Sequence, residues 1–307
     1  MISFKIKRHL VKLWNDFFDY KALFFNRTII ALDAARTPFL STPHIKSIDE
    51  TITDIISYRA SVGRYGDGEL KLINKQGISF QIYNALLSKR LREILLCEDA
   101  NFLVCLPDVF KELSHYEDEP KNYWKLHMAK FRVNWYKLLK KEKVYYNSFI
   151  SRCYYSFRDK SNCNEWFTQL KKIWDEREIV FVEGRKSRLG IGNDLFNNAK
   201  SIQRILVPEK DAFLEYDRIL SEAKKMDKSK LLLLAIGPTA TVLAYDLHKD
   251  GYQAIDIGHL DIEYEWFLRK AKTKTQIENK YVNEAGTTTE IGELQDLNYL
   301  NEIIVKI

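Results

Sequence analysis

The chain has 307 residues, of which 46% are hydrophobic and 29% charged, so it can bury one large core or two modest ones. Its formal net charge of +6 is small, and basic residues are mixed with acidic ones, which argues against a nucleic-acid partner. The sequence has no run of about 18 apolar residues and no C-x-x-C spacing among its four cysteines. We therefore expect no membrane span, signal peptide or disulfide framework, and a cytoplasmic location.

Residues 1–45 predict a helical extension ahead of the main domain. Apolar side chains recur there at helical spacing beside basic ones: Leu10, Leu13, Trp14, Phe17 and Phe18, with Lys5, Lys7, Arg8 and Lys12. Such a stripe either rests peripherally on the anionic inner face of a membrane or packs on protein. We favour packing, on the main domain or on a second copy of the chain through residues 1–40.

Residues 46–307 predict one α/β domain, because short apolar segments alternate with amphipathic helical patterns. The candidate strands are residues 61–65, 102–106, 179–182, 204–207, 231–236 and 254–257. Several of them lack polar alternation, as in a parallel sheet covered on both faces. Helical spacing predicts helices near residues 87–95, 124–138 and 242–247, the last closed by Gly251, and residues 303–305 predict an edge strand. The expected fold is a Rossmann-like, mostly parallel sheet flanked by helices, with ligands beyond the carboxyl ends of its strands.

The first polar motif follows the first of these strands. It contains Arg64, Gly66, Asp67, Gly68 and Glu69. The glycines allow a tight turn close to a ligand, and the arginine can bind phosphate oxygens. The two carboxylates can accept sugar hydroxyls or join a metal shell, or the segment can be a plain strand-to-helix turn with the aspartate as its cap.

The second motif lies in a basic loop, residues 182–194, which runs from a predicted strand into a predicted helix. Backbone amides and cations at such a helix entrance suit a diphosphate. The candidate binding residues are Glu183, Arg188, Gly190, Asn193 and Asp194. The spacing matches neither a Walker loop nor a dinucleotide fingerprint, and a solvated loop is the alternative.

The third motif, Gly237-Pro238-Thr239, joins a very apolar strand to a helix. Amides of the first helical turn would face the same crevice as the other motifs. Contact with a phosphate, a nucleobase or a ribose is plausible, and a simple strand-to-helix turn is equally so.

The fourth motif follows the last strand before the C-terminal region and holds His259, Asp261, Glu263 and Glu265. Crowded carboxylates repel one another unless a cation lies between them, so the Asp-x-Glu pair indicates a divalent metal, Mn²⁺ or Mg²⁺. The alternative is a helix start, where acidic side chains suit the positive end of the dipole. A sugar-transfer reaction also needs a base near the acceptor hydroxyl, and Glu265 or His259 is the candidate.

Together the four motifs resemble the bacterial glycosyltransferase family with the GT-D fold, over roughly residues 45–285. This family includes enzymes that extend O-linked glycans on serine-rich-repeat adhesins. The resemblance implies a metal-dependent transferase that moves a hexose, glucose or galactose, from a UDP-sugar donor to a glycan acceptor on protein or lipid. It also implies that Asp261 and Glu263 form the metal motif, with His259 and Glu265 functional beside it. Residues 1–45 lie outside the resemblance.

Other functions stay open at the level of sequence. The same pocket would serve a nucleotide-sugar hydrolase, a phosphoryl transferase or a transferase that builds a cell-surface polysaccharide. A non-catalytic subunit that binds a membrane or another transferase through residues 1–40 would have no need for the acidic residues of the fourth motif.

Overall fold

The computed structural model describes residues 24–282, 284–285 and 291–307, and the stripe predicted at residues 10–18 lies outside these ranges. The chain divides into two compact units. One consists of residues 1–42 and 109–137, and the other of residues 43–108 and 138–307. No helix in the described ranges combines the length and hydrophobicity needed to cross a bilayer.

The larger unit is built on a nine-stranded sheet in which every pair of neighbouring strands is parallel. The strands in chain order are β1 (His44–Ile45), β2 (Ser61–Arg64), β3 (Phe102–Leu106), β4 (Val144–Asn147), β5 (Glu178–Gly184), β6 (Ser201–Val207), β7 (Leu231–Ala235), β8 (Gln253–Asp256) and β9 (Ile303–Lys306). Their order across the sheet is β1-β4-β3-β2-β8-β7-β5-β6-β9. This architecture confirms the predicted Rossmann-like parallel sheet.

Helices connect the strands. In chain order they are a helix over residues 24–36 (α1), α2 (Ile48–Tyr58), α3 (Asp67–Ile73), α4 (Ala85–Leu95), α5 (Asp118–Leu138), α6 (Cys163–Lys171), α7 (Tyr216–Ala223), α8 (Pro238–Lys249), α9 (Leu260–Leu268) and α10 (Leu297–Glu302). Local sequence explains several boundaries. Ser47 and Glu50 form a reciprocal capping box at the start of α2, and Gly251, with a φ of +87°, follows the end of α8.

The predicted strands all occur, with ends that differ from the prediction by at most three residues. They were predictable because apolar side chains in a two-sided parallel sheet are buried without alternation. The residues 303–305 form part of β9, which lies at the sheet edge beside β6. Two strands were not predicted. The two-residue β1 is too short to show a pattern, and β4 contains the polar-looking sequence Val-Tyr-Tyr-Asn.

The smaller unit contains α1 and most of α5, and its interior holds an ion pair. Arg132 donates from Nε to Oδ1 of Asp33 at 2.9 Å and from Nη2 to its Oδ2 at 2.8 Å, and its Nη1 donates to the backbone oxygen of Phe110 at 2.9 Å. Burial alone would raise the pKa of Asp33, but Arg132 and Arg36 lower it. Helix α1, which contains Asp33, lies in the N-terminal region, where a helical extension was predicted.

Large apolar side chains on and after α1 are exposed: Phe24, Phe25, Leu32 and Phe39. Exposed aromatic groups of this kind are typical of surfaces that contact another protein or a membrane. A homodimer contact or a peripheral membrane contact through residues 1–40 stays a prediction.

Candidate active site

The order of the strands reverses between the neighbouring strands β2 and β8, because the chain leaves them toward opposite edges of the sheet. After β2 the chain proceeds to β3 and β4 on one side, and after β8 it returns to β9 at the opposite edge. In open α/β sheets such a reversal leaves a crevice beyond the carboxyl ends of the two strands, where ligands bind. The first and fourth motifs follow these two strands, so the fold brings them to one place.

An arginine and a carboxylate join the two strands at this crevice. Arg64, the last residue of β2, donates from Nη2 to Oδ1 of Asp256 at 2.8 Å and from Nε to the backbone oxygen of Asp256 at 2.9 Å. Its Nη1 donates to Oγ of Ser151 at 2.6 Å. Oγ1 of Thr241 donates to the backbone oxygen of Arg64 at 2.8 Å and lies 3.3 Å from the other carboxylate oxygen of Asp256. Arg64 thus links β2 to β8 at the base of the crevice. Its guanidinium donates to protein groups here, whereas the sequence predicted that it binds phosphate oxygens.

Gly258 makes this arrangement possible, and its replacement tests it. Its φ is +45°, and a Cβ at this position would lie 1.8 Å from Nη2 of Arg64. We expect Gly258→Ala to push the guanidinium away from Asp256, which is 3% exposed, and to destabilise the protein by about 2–4 kcal/mol through backbone strain and a lost charged hydrogen bond. Urea unfolding measures the change.

The matched control for this substitution is Gly292→Ala, because a Cβ there would meet no atom within 4 Å. Its effect is expected to stay within about 0.5 kcal/mol. Equal stability of the two variants would show that the position of Arg64 does not depend on the space left by Gly258.

Glu69 is the carboxyl group of the first motif that is suited to proton transfer. It lies in the first turn of α3, half-buried, and its Oε2 accepts from the backbone N–H of Gly66 at 2.7 Å. Burial, and then the nearby Asp256 carboxylate, raise the pKa of Glu69 to about 7. Asp67, by contrast, is half-exposed and its Oδ2 accepts from Lys71 at 2.6 Å, one helical turn away.

Helix α9 carries the fourth motif, and its two faces bind different groups. On one face, Oδ2 of Asp261 accepts from the ammonium of Lys280 at 2.6 Å and its Oδ1 from the backbone N–H of Gly190 at 2.9 Å. Glu265, one turn later, accepts from the same ammonium at 3.3 Å and from Nδ2 of Asn193 at 2.8 Å. Lys280 is 2% exposed, so this group, which we call the Lys280 cluster, is sealed inside the protein.

Glu263 lies on the other face of α9, and His259 is the N-cap residue that precedes the helix. Glu263 is fully buried, and its Oε2 accepts from the backbone N–H groups of Tyr154 and Tyr155 at 3.0 and 2.8 Å. Burial raises the pKa of Glu263. Burial, and then the charge of Arg152, lower the pKa of His259 to about 4, so this imidazole is neutral at pH 7.

The two carboxylates of the predicted metal motif therefore do not converge. Residues two apart on a helix are separated by about 200°, and Asp261 and Glu263 point to different neighbours. Within the described ranges, no three histidine, cysteine, aspartate or glutamate side chains gather in a group that could hold a metal ion. The arrangement does not fit an ion shared by Asp261 and Glu263, whose negative charges have other partners. Metal dependence stays a prediction.

The polar side chains in the basic loop of the second motif bind other groups of the protein. Arg188 is buried and donates to the backbone oxygens of Asn279 and Gly292, at 2.8 and 2.5 Å. Glu183 is fully buried and pairs with Arg204 at 2.5 Å. Asp194 accepts from Tyr264 and Lys171. The expected diphosphate contacts from Glu183 and Arg188 do not fit this arrangement, because burial removes both side chains from a ligand.

The turn of the third motif is also tightly packed. Gly237 has a φ of +61°, and a Cβ there would lie 2.9 Å from the ring of Phe80. Thr239 is completely buried, with its Oγ1 3.4 Å from Oε1 of Gln81, and Pro238 begins α8. These contacts favour the interpretation of a structural strand-to-helix turn.

Glu284 also lies at the crevice, where its Oε2 accepts from Nη1 of Arg152 at 3.1 Å and its Oε1 is 3.8 Å from Nε2 of His259. Several residues of the crevice were not predicted from sequence, namely Ser151, Arg152, Thr241, Asp256 and Glu284. Asp256 had a signal, because it is a charged residue inside an apolar strand and such a group needs a buried partner. Thr241 lies two residues beyond Gly237-Pro238-Thr239 in the third motif and was not singled out there. The others belong to no motif, and only the fold brings them to the crevice.

Comparison with known proteins identifies the class. The profile described as "Glycosyltransferase GT-D fold" matches residues 62–285, so the chain belongs to this glycosyltransferase family. It is 37% identical over 264 residues to a probable glycosyl transferase Gly of Streptococcus gordonii, and 37% identical over 280 residues to glycosyltransferase GlyD of Streptococcus pneumoniae serotype 4. These matches cover 86% and 91% of this chain but 39% and 34% of the relatives, so the chain spans little more than a third of their length.

Solved structures agree. A new glycosyltransferase (DUF1792) from Streptococcus sanguinis superposes with a TM-score of 0.83 at 36% identity, covering 87% of this chain and all of that one. Another structure, described as the highly conserved domain of unknown function 1792 with a distinct glycosyltransferase fold, gives a TM-score of 0.86 at 39% identity and covers 89% and 99% of the two chains. The predicted family and fold are confirmed.

Proposed function

We propose that this chain catalyses the transfer of a hexose, glucose or galactose, from a UDP-sugar to a glycan acceptor. The acceptor we favour is an O-linked glycan on a serine-rich-repeat adhesin, and the place of reaction is the cytoplasm or the inner face of the membrane. The proposal rests on membership of the GT-D family and on one structural observation: polar and charged side chains meet at the reversal between β2 and β8.

In this proposal the transfer needs two kinds of group. Departure of UDP builds negative charge on a diphosphate, which cationic side chains stabilise. The acceptor hydroxyl must lose a proton, and a carboxyl group with a pKa near the working pH is suited to take it. We assign that role to Glu69. Of the two bases predicted from sequence, Glu265 has its carboxylate engaged with Lys280 and Asn193, and the low pKa of His259 makes it a weak base.

A donor-binding experiment tests the proposal. The melting temperature of the protein is measured with UDP, UDP-glucose and UDP-galactose, each with Mn²⁺, with Mg²⁺ and with a chelator. A ligand at 100 times its Kd stabilises the folded state by about 2.7 kcal/mol, a clear upward shift. We expect at least one UDP compound to stabilise the protein and the matching sugar to be transferred to a hexosylated peptide acceptor.

The outcomes separate the parts of the proposal. Stabilisation that is identical with metal and with chelator would contradict metal dependence while supporting donor binding. Absence of any shift with all three uridine compounds under every condition would overturn the proposed donor. Release of hexose into water at a rate that no glycan acceptor increases would instead favour a hydrolase.

A further inference from the structure

Two arginines lie near each other at the amino ends of the strands, the edge of the sheet opposite to the crevice. Arg59 is two residues ahead of β2, and Arg177 is one residue ahead of β5. Gln253, the first residue of β8, links these two segments. Its Oε1 accepts from Nη1 of Arg177 at 2.7 Å, and its Nε2 donates to the backbone oxygen of Ala60, the neighbour of Arg59, at 3.1 Å. We call the two side chains the Arg59–Arg177 pair.

The positive charges of this pair act on each other without a carboxylate between them. Arg177 is half-buried, and burial, and then the charge of Arg59, lower the pKa of its guanidinium, while no carboxylate in the described part of the chain raises it. The other acceptor for Nη1 of Arg177 is the backbone oxygen of Ile173, at 3.3 Å. Among the described residues, neither guanidinium has an acidic partner at ion-pair distance.

The carboxylates that precede β5 and β8 in the chain have other surroundings: Asp175, Glu176, Glu178 and Asp250. Asp175 accepts from the side-chain amide of Asn198 at 2.8 Å. Glu178 lies 3.1 Å from the ammonium of Lys200, and Asp250 lies 2.5 Å from that of Lys224. Glu176 is exposed. The pair therefore keeps two positive charges that the neighbouring acidic side chains do not neutralise.

The backbone at Arg59 is unusual for a residue with a side chain. Arg59 follows the last residue of α2 with φ +48° and ψ +40°, a left-handed conformation that glycine or asparagine adopts at less cost. Residues in such conformations occur preferentially at functional sites and ligand clamps. The side chain of Arg59 is exposed, so it can reach a ligand from solvent.

We propose that the Arg59–Arg177 pair binds a phosphate monoester at a second ligand site, separate from the crevice. A guanidinium presents paired N–H donors that match the oxygens of a phosphate. A phosphate monoester carries about 1.5 to 2 negative charges at pH 7, which matches two guanidinium groups, whereas a carboxylate or a phosphate diester carries one. The ligand is a soluble phosphate monoester or the headgroup of a membrane lipid with the same chemistry.

This site and the crevice lie at opposite ends of the same strand. The four residues of β2 span roughly 13 Å, with Arg59 ahead of the strand and Arg64 at its end. A ligand on the Arg59–Arg177 pair would therefore bind beside a sugar donor and not in its place. The inference does not depend on the identity of that donor.

Arg59→Gln carries the test, because the side chain is exposed and its loss should leave the fold intact. Titration calorimetry with inorganic phosphate, at an ionic strength held constant with chloride, should show about 10- to 100-fold weaker binding, since charge-assisted hydrogen bonds are lost. Without phosphate the variant should melt at the same or a higher temperature, because the repulsion between the arginines is removed. An arginine that only favours the C-terminal end of α2 would give a lower melting temperature and an unchanged affinity for phosphate.

The matched control is Arg92→Gln. Arg92 is also exposed, and its Nη2 donates to the backbone oxygen of Ile73 at 3.3 Å, but no second arginine is linked to it. We expect this variant to bind phosphate as the unmodified protein does. UDP should bind both variants with unchanged affinity, so the titration with UDP tests the proposed donor separately.

Two further arms identify the source of the phosphate. Glucose 1-phosphate is titrated as a soluble monoester, and sedimentation is measured with phosphatidylcholine vesicles that contain or lack phosphatidic acid. Binding that depends on phosphatidic acid and is lost in Arg59→Gln assigns the site to a lipid headgroup, and binding of the soluble monoester alone assigns it to a metabolite. Equal phosphate affinity of Arg59→Gln and the unmodified protein, or no binding of any of these phosphates, would overturn the inference.

Discussion

Lys280→Met is expected to cost about 3–5 kcal/mol of folding free energy. The ammonium of Lys280 lies 2.6 Å from Asp261 and 3.3 Å from Glu265, and all three residues are nearly inaccessible to water. Removing one partner of a buried ion pair leaves an uncompensated charge, and here it leaves two. Urea unfolding followed by circular dichroism measures the loss.

Two companion variants make this result specific. Lys249→Met removes a lysine whose side chain is 55% exposed and whose ammonium lies 3.6 Å from Asp99, so its cost should stay within about 0.5 kcal/mol. Adding Asp261→Asn and Glu265→Gln to Lys280→Met removes the unpaired charges and should recover part of the stability. A Lys280→Met protein as stable as the Lys249→Met protein would show that the Lys280 cluster does not neutralise these carboxylates.

Glu69→Gln is expected to lower kcat for sugar transfer by about 10²–10⁴-fold, the range that a positioned general base contributes. The amide is nearly isosteric, and its oxygen can still accept from the N–H of Gly66, so the fold should be retained. In the unmodified enzyme the rate should fall as pH drops below about 7, because Glu69 then takes up a proton. The residual activity of the variant should lack this dependence.

Stability gives an independent measurement of the same group. The pKa of Glu69 is raised from 4.5 to about 7 on folding, so the folded protein binds the proton more tightly than the unfolded chain does. Stability should therefore decrease as pH rises from about 4.5 to about 7, and Glu69→Gln should remove that part of the decrease. Glu93→Gln, an exposed glutamate on α4, is the control and should leave both profiles unchanged. Full transfer activity in Glu69→Gln would rule out the base.

The sheet was predictable from sequence because its strands are buried on both faces and show as uninterrupted apolar runs. Leu231 to Leu234, for example, are completely buried. A short apolar run of this length that ends at a Gly-Pro turn is more typical of a buried strand than of a helix. The position of the crevice followed from the same reasoning, since motifs after parallel strands meet at one edge. The short strand β1 and the polar strand β4 carry no such pattern.

The sequence did not predict which polar side chains lie in the same cluster, because this depends on whether and where a helix begins. The start of α9 at Leu260 places Asp261 beside Glu265 and His259 beside Glu263, and an extended segment would have paired them differently. Lys280 and Glu284 come from a polar region without periodicity, and Arg152 follows a short turn. No local pattern links them to α9, so only the three-dimensional fold supplies the cations that the clustered carboxylates require.

The two faces of α9 also limit how this enzyme can change. A one-residue insertion early in the helix would turn every later side chain by about 100°, taking Glu265 out of reach of Lys280 and moving Glu263 away from the amides of Tyr154 and Tyr155. The insertion would therefore break the buried salt bridge and disrupt the crevice at the same time. Variation in specificity should therefore arise in the surrounding loops, while the length of this nine-residue helix stays constant among working relatives.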